Sequence, residues 1–582
     1  FNTPGFGGRS HLLLAGVSNQ LLINSCSFNN AFNTPLPNPT IFGILSFNSG
    51  FKVTNGGEAD DPSAFTNLSY GIYASGFKTA GVTVKSSIFT DCNVGIYGIG
   101  TNFFAVSENM FNLGKLPTVT TPYSLPDQFG VWFKDAFPIL SVTGNTFQRY
   151  TFTNPAPDHT IGSFAQNVGD FNNLFSENDY DQIDFANLAN ENNGNQNGLH
   201  YLCNNNFGPQ LYDFAVEQNA SIRQNQGQGN VATGGFNAAA NTFSYTNGNN
   251  GDFSDFLNDG GFVRYYWRNA PNEKPLDFFN LNLIQVPTGA GCADREICPE
   301  PCKTPTEIAG MKNEYPVQKT AWLVAQNAAT QAQQTGNTAL MQQYDDQANI
   351  IRDRIDYLVG SIISDEIGTL NRPDTIRKWL SNFERIEAEF YIARNLFNLN
   401  DSTAADSILQ LISSKFNLNT AQAQEIAAMR QLVAVLSGKD IFALNEATKT
   451  ALESFAQKEL SHSGDWARGI LLHYGYWFQP TYKLPEPSRQ RNSDPNAGII
   501  FNSVHLFPNP AHQRLQVNMP GNPDIGTLQI FNALGELIMI LGVASEEEST
   551  TINISDLPSG IYFVRLDRGG QNIFSEKLVI QS

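Results

Sequence analysis

The feature that most constrains this chain is a short phrase that it keeps rewriting. Residues 105–112 read AVSENMFN and residues 141–148 read SVTGNTFQ, with variants at 22–29 (LINSCSFN), 83–90 (TVKSSIFT) and 240–244 (ANTFS). Each joins a β-branched or small residue, a short polar run, often an Asn, and then a Phe. A second marker precedes it: YGIYASGF (70–77), VGIYGIG (94–100), FGVWFKDAF (129–137) and IGSFAQNV (161–168). Aligned on Phe89, Phe111, Phe147, Phe175, Phe207 and Phe243, the copies fall 22 to 36 residues apart. The shortest gap is one coil of a β-solenoid, and the longer ones leave room for insertions at turns. Each unit holds two or three short strands and no helical period. One coil cannot bury its inward Val, Ile and Phe alone, so coils must stack to close an apolar column. Asn suits the bends, because it tolerates left-handed geometry and its amide bonds to turn backbone. These observations predict a parallel β-helix over residues 1–290. The chain begins at Phe1 without a basic-then-apolar leader, as expected of a processed chain or a fragment, so the solenoid is expected to lack its first part.

The pattern resembles the right-handed parallel β-helix repeats of pectate-lyase-like and periplasmic copper-associated repeat proteins over roughly residues 10–270. The resemblance implies the fold and not an activity, since the same fold serves lyases, hydrolases, epimerases, adhesins and phage spikes.

Composition narrows the partners. Only 15% of the 582 residues are charged and the net charge is −19. Nucleic acid and anionic lipid surfaces both need Lys and Arg, so neither is expected as a partner. No run approaches the ~20 apolar residues that cross a bilayer as a helix. Of six cysteines, Cys292, Cys298 and Cys302 cluster in a Pro-rich junction over 291–302. The usual zinc spacing is absent and no His lies near, so a disulfide within this junction is expected in an oxidising compartment. Cys26, Cys92 and Cys203 sit in strand-like runs and read as lone buried thiols.

Enzymes built on β-helices need carboxylates with Lys, Arg or His along one groove. The richest acidic stretch, SENDYDQIDFANLANENN, holds Glu177, Asp179, Asp181, Asp184 and Glu191. Asp179 and Asp181 share a strand face at period two. With Asp184 they are the catalytic candidates, as an acid/base pair or as oxygen ligands for calcium. The plainer reading is a solvated acidic turn, and no Lys or Arg occurs between Arg149 and Arg223 to meet an anionic sugar chain. The seven histidines show no metal-binding spacing. Phe262, Tyr265, Tyr266 and Trp267 either stack on sugar rings or cap the open end of the solenoid.

From residue 303 to 480 the period becomes helical. In 375–397 the apolar positions Ile376, Trp379, Phe383, Ile386, Phe390, Ala393 and Phe397 alternate by three and four, predicting one helix with a core-facing stripe. Further helices are expected over 338–363, after an Asp401 or Ser402 N-cap, over 444–460 and over 464–478. Together they suggest an α-helical bundle or short α-solenoid. Asp374-Thr375, Asp401-Ser402 and Asp406-Ser407 are similar to a bacteroidete O-glycosylation consensus, and each also has a plain capping explanation.

Residues 481–499 read as a polar, Pro-bearing linker. Over 500–582, Leu515 with Val517, Leu528 with Ile530, Ile552 with Ile554, Ile561 with Phe563, and Leu578 with Ile580 alternate along short strands between turn signals, predicting a small Ig-like β-sandwich of about seven strands. This stretch resembles the type A C-terminal sorting domain of the type IX secretion system of Bacteroidota. The resemblance rests on Phe507-Pro508-Asn509-Pro510, NALGE at 532–536 with Gly535, Leu557-Pro558-Ser559-Gly560-Ile561-Tyr562, and Lys577-Leu578-Val579-Ile580. It implies passage through the type IX translocon, hand-over to an outer-membrane shuttle, and removal of the domain by a sortase that can attach the chain to surface lipopolysaccharide. The protein is then expected outside the cell or on its surface. The function expected is structural or adhesive: an adhesin, stalk or fibre subunit, with surface polysaccharide or self-association into filaments as its contacts. The alternative is a secreted polysaccharide lyase or hydrolase. A metal-loading role is disfavoured by the lack of His or Met clusters.

Overall fold

Three strands recur in a fixed order along the first two hundred residues. The first coil is Arg9–Ala15, Leu21–Asn24 and Ser27–Asn29. The second is Thr40–Phe47, Phe51–Thr54 and Ser63–Thr66, and the seventh is Phe185–Asn190, His200–Leu202 and Asn205–Phe207. Like strands of successive coils pair in parallel, giving one sheet of ten strands and two of seven around a common core. This computed structural model describes residues 9–580 except 18–20, 31–39, 57–60, 77–80, 119–123, 137–138, 151–154, 196, 209–210, 232–233, 245–253, 271, 288–302, 370–371, 459–460, 486–504, 508–510, 512–513, 519–525, 533–536, 544–548, 556 and 569–570. Two units emerge, Phe1–Glu486 and Pro487–Ser582.

The recurring phrase runs from a second-sheet strand round a bend into the third sheet, and its Phe is the third-sheet rung. Phe28, Phe65, Phe89, Phe111, Phe147 and Tyr180 stack ring on ring, each step 4.7–4.9 Å between centroids and tilted by 10° or less. That step equals the spacing of paired strands, so the backbone ladder sets the ring ladder. The glycine of the preceding marker is what makes room. A Cβ on Gly71, Gly95 or Gly130 would lie 2.6 Å from the next coil's carbonyl oxygen and 2.6–2.9 Å from the ring of Phe89, Phe111 or Phe147. Beside the rings runs a buried amide ladder. Asn109 donates to Asn145 Oδ1, Asn145 to Asn178 Oδ1, Asn178 to Asn204 Oδ1 and Asn204 to Asn241 Oδ1, each through its Nδ2 at 2.9–3.1 Å. Each of the first three amides also donates to a second-sheet carbonyl, of Val84, Val106 and Val142. Turn positions flanking the first sheet take left-handed backbone at Asn48, Gly100, Asp135 and Asn167.

The alignment on Phe is right at Phe89, Phe111 and Phe147 and again at Phe243, which follows Asn241 of the amide ladder by two residues and is buried, and it slips in the two coils after Phe147. The next slot belongs to Tyr180 and the one after to Asn206. Phe175 lies in the second sheet opposite Val142, and Phe207 points outward at 44% exposure. Beyond the seventh coil, Tyr212–Val216, Phe256–Asn258 and Phe278–Phe279 extend the first sheet. Val263–Trp267 pairs with Asn225–Gln226 and Leu281–Gln285 in a separate parallel sheet. Tyr265 and Tyr266 are buried here as core, while Phe262 is half exposed.

Eight α-helices follow among the described residues: α1 (Pro305–Gln334), α2 (Thr338–Thr369), α3 (Pro373–Leu380), α4 (Ile386–Asn398), α5 (Ser402–Lys415), α6 (Thr420–Leu436), α7 (Glu446–Ala456) and α8 (His462–His473). The single helix expected over 375–397 is two. A 3₁₀ turn at Ser381–Phe383 and left-handed Glu384 separate α3 from α4. The apolar stripe survives the break, because Ile376, Phe383, Phe390, Ala393 and Phe397 are all buried. Asp401 caps α5 by accepting from Ala404 N at 2.9 Å, as its position predicts.

The helices pack along the solenoid. Phe103, Ile139 and Phe171, between its first and second sheets, share a core with α2, α3 and α4. Asn102 donates to Tyr391 Oη at 2.8 Å. Further along, Arg223 clasps Asp353 of α2 with both guanidinium arms at 2.6 and 2.5 Å, and Arg264 pairs with Asp346. Where α8 meets the fifth coil, charges are buried together: Lys134 with Asp465 at 3.4 Å, and Asp135 with His462 at 2.9 Å. Such buried pairs demand register between the two surfaces, since either charge alone in that setting is costly.

The second unit is a sandwich, with seven strands among the described residues. His505–Phe507, Arg514–Asn518 and Ser549–Asn553 form one antiparallel sheet. Gly526–Asn532, Leu537–Val543, Gly560–Arg568 and Gln571–Ile580 form the other. Leu515, Val517, Leu528, Ile530, Ile552, Ile554, Leu578 and Ile580 are buried as their alternation predicts. In Gly560–Arg568 the inward face is instead Tyr562, Val564 and Leu566, and Phe563 is 42% exposed. Cys203 is also corrected: it is disulfide-bonded, while Cys26 and Cys92 are free. Cys292, Cys298 and Cys302 lie outside the described residues.

Candidate functional site

The solenoid has three outer faces, and coverage distinguishes them. The first sheet is buried on both faces along strands such as Val94–Ile99 and Gln128–Lys134. The third sheet alternates buried and accessible residues in Ser63–Thr66, Ser87–Thr90 and Asp179–Asp181, so its outward side chains remain reachable. Cross-coil register lines these up. One outward row reads Thr66, Thr90, Asn112, Gln148, Asp181; its neighbour reads Ala64, Ile88, Met110, Thr146, Asp179, Asn205. The polar members bond to each other along the axis. Asn112 donates to Thr90 Oγ1 at 3.0 Å, Gln148 to Asn112 Oδ1 at 2.7 Å and Asn205 to Asp179 Oδ1 at 2.8 Å.

Asp179 and Asp181 therefore stand where period two placed them, either side of inward Tyr180. Asp184 does not stand with them. It sits in the bend towards the first sheet, where its Oδ1 meets Arg149 Nη1 at 2.5 Å and its Oδ2 accepts from Thr160 N and Oγ1 at 2.8 and 2.9 Å. The same edge carries a second knot. Asp91 Oδ2 meets Lys115 Nζ at 2.8 Å, and Asp91 Oδ1 accepts from Tyr150. Burial, and then the Asp91 carboxylate, push the Tyr150 hydroxyl up, so it holds its proton at neutral pH. Two cations of this edge, Lys115 and Arg149, are thus each paired with a carboxylate. Sequence reasoning missed Asp91, Lys115, Tyr150 and Arg149, because coil insertions of unequal length bring them together. Among the described residues no three His, Cys, Asp or Glu side chains gather closely enough to hold a metal.

In the second unit the two ends of the predicted signal converge. Ala511 N, directly after the Phe507–Pro510 motif, donates to Val579 O at 2.8 Å. Tyr562 pairs across the sheet with Leu578, and its hydroxyl donates to Pro558 O at 2.9 Å. That bond closes the Leu-Pro-Ser-Gly turn in the manner of a tyrosine corner. Gly560, at the strand start, faces Ile580. Pro508, Asn509, Pro510 and Gly535 lie outside the described residues, and for Phe507 and Lys577 only the backbone is described.

Residues 505–581 match the secretion system C-terminal sorting domain. The match coincides with the second unit and marks the chain for type IX secretion, to the cell surface or beyond it. No curated protein and no solved structure matches the chain. No helix among the described residues is long and apolar enough to cross a membrane.

Proposed function

We propose that the chain is a cell-surface β-helix protein of structural or adhesive role, an adhesin, stalk or fibre subunit that presents its third-sheet face to surface polysaccharide. The observation that carries this reading is the contrast between faces: the first sheet is buried along strands such as Val94–Ile99 and Gln128–Lys134, while the third keeps accessible, mostly polar rows whose carboxylates are Asp179 and Asp181, with the cations Lys115 and Arg149 paired at its edge. A face of Thr, Asn, Gln and two Asp offers many hydrogen bonds and no free cation row, which suits a neutral sugar chain lying along the axis. On this reading the tail recruits the outer-membrane shuttle and the sortase, and residues 1–480 are the cargo. Binding of purified protein to immobilised polysaccharides tests it. Asp181→Ala with Gln148→Ala is expected to weaken retention severalfold without lowering the thermal midpoint; unchanged retention by every polysaccharide bound would count against the face.

An enzymatic reading is favoured by one arrangement, the Arg149–Asp184 and Lys115–Asp91–Tyr150 knots bordering Asp179 and Asp181. It predicts release of reducing ends or unsaturated sugars from a bound polysaccharide, abolished by Asp179→Asn with Asp181→Asn. Binding without any such release separates the two readings.

A further inference from the structure

The first sheet's outer face is strongly aromatic, and an irregular strap covers it. Residues 474–485 (YGYWFQPTYKLP) leave α8 through Gly475, whose φ is +89°, and lie along the solenoid axis. Trp477 stands over Phe42, Tyr70 and Tyr73 at 5.6–6.1 Å between ring centroids. Tyr482 stands over Phe129, Trp132 and Phe164 at 5.0, 5.4 and 6.5 Å. Those two sets of rings belong to the second and third coils and to the fifth and sixth. Three coils at about 4.8 Å span about 14 Å. Five extended residues at about 3.3 Å reach about 16 Å. The spacing of the two anchors thus matches an extended chain laid along the coils.

Polar contacts fix the backbone of the strap. Gln166 Nε2 donates to Thr481 O at 3.1 Å, Asn190 Nδ2 donates to Lys483 O at 2.9 Å, and the Tyr482 hydroxyl donates to Asp127 Oδ2 at 2.5 Å. Gln479, Thr481 and Lys483 are exposed. The sheet's own backbone groups are spent on neighbouring coils, so side chains hold the strap: Trp477, Tyr482 and Leu484 against the first-sheet rings, Tyr476 and Phe478 against the helical core, and a few hydrogen bonds. A groove reads a foreign extended peptide by the same means: side-chain pockets for specificity and carbonyl contacts for register.

We propose that this face is a peptide-accepting trough and that residues 474–485 are its resident, displaceable occupant. The trough takes an extended polypeptide segment with two aromatic side chains five residues apart. Its own strap competes at the high effective concentration of a tethered ligand and keeps the trough closed. In chain order the strap runs directly into the linker before the sorting domain, so whatever holds the tail holds the strap's free end.

The test uses the full chain carrying Trp477→Ala with Tyr482→Ala, titrated with a fluorescent peptide of residues 474–485 and followed by anisotropy. The folded variant, checked by circular dichroism, is expected to bind this peptide at least about tenfold more tightly than the unaltered chain. The same peptide with both aromatics replaced by alanine is expected not to bind. Equal binding by both chains, or no binding by the folded variant, overturns the proposal. Should the double variant fail to fold, Tyr482→Phe removes only the Asp127 hydrogen bond. Protease cleavage within 474–486 must then speed up severalfold with α1–α7 unchanged, and unaltered protection of the strap overturns the proposal equally.

Discussion

Two kinds of residue set the behaviour of this molecule, those that leave room and those that bury charge. Gly130 leaves room, because a methyl group there would meet Gly162 O and the Phe147 ring, both at 2.6 Å. Gly130→Ala is expected to cost about 1–3 kcal/mol or more in denaturant unfolding, as overpacking does. Gly310, in α1 with nothing within 4 Å of its missing Cβ, is the contrasting case: Gly310→Ala should stabilise by about 0.5–1 kcal/mol. His462 buries charge. Burial disfavours its imidazolium, but Asp135 and then Glu425 overcome that and lift it to about 9, with Arg394 opposing and the Phe390 ring alongside. A folded value above the ordinary 6.5 means that its stabilisation is full below pH 6.5 and is lost as pH rises through about 9. Asp465 acts with the same sign at lower pH. Burial raises it to about 6 against Lys134 and Arg468, so the stability present below its ordinary 3.8 fades as pH climbs through 6. The free energy of unfolding should therefore fall between pH 6.5 and 9, by an amount on the order of 1–3 kcal/mol, read as a falling thermal midpoint. His462→Gln should flatten that slope, and an unchanged slope would contradict the assignment.

At the scale of elements, repetition was legible and interruption was not. Phe89, Phe111 and Phe147 could be aligned because their phrases are close copies and their rings do stack. Tyr180 filled the next slot unseen, because an aromatic of another type followed an insertion and Phe175 offered a false register. The stripe of α3 and α4 was legible as burial. The break at Glu384 was not, since a three-residue turn barely disturbs a three-four spacing. In Gly560–Arg568 apolar residues lie on both faces, so the sequence could not fix the phase that Tyr562 takes. The candidate site was half legible. Asp179 and Asp181 share a face by strand geometry alone, but the capture of Asp184 by Arg149, across 35 residues, depends on coil stacking. The amide ladder is the element most exposed to a single change. Asn145→Ala would leave Val106 O without its amide donor and break the chain at Asn109 and Asn178. We expect a loss of about 2–4 kcal/mol from buried groups left unpaired, read as an earlier urea midpoint at unchanged slope.

For the whole molecule, the division of labour follows the two units. The first is a stack in which each coil borrows its neighbours' surface, stiffened by helices along its flank and closed by the strap. The second is a compact sandwich whose start and end are tied by Ala511 and Val579, so its recognisable residues are presented together. Nothing in the first unit repeats that signal, and removing the second should leave the cargo folded. A chain ending at residue 486 is expected to keep the unfolding midpoint of the first unit seen in the full chain. Residues 505–581 alone are expected to direct a self-sufficient β-helix body out of the cell. Fractionation of a type IX-secreting host making the full chain or the chain without 505–581 tests it most directly. Full-length protein is expected at the surface or in the medium, and folded truncated protein in the periplasm. Truncated protein reaching the surface as efficiently as the full chain would contradict it.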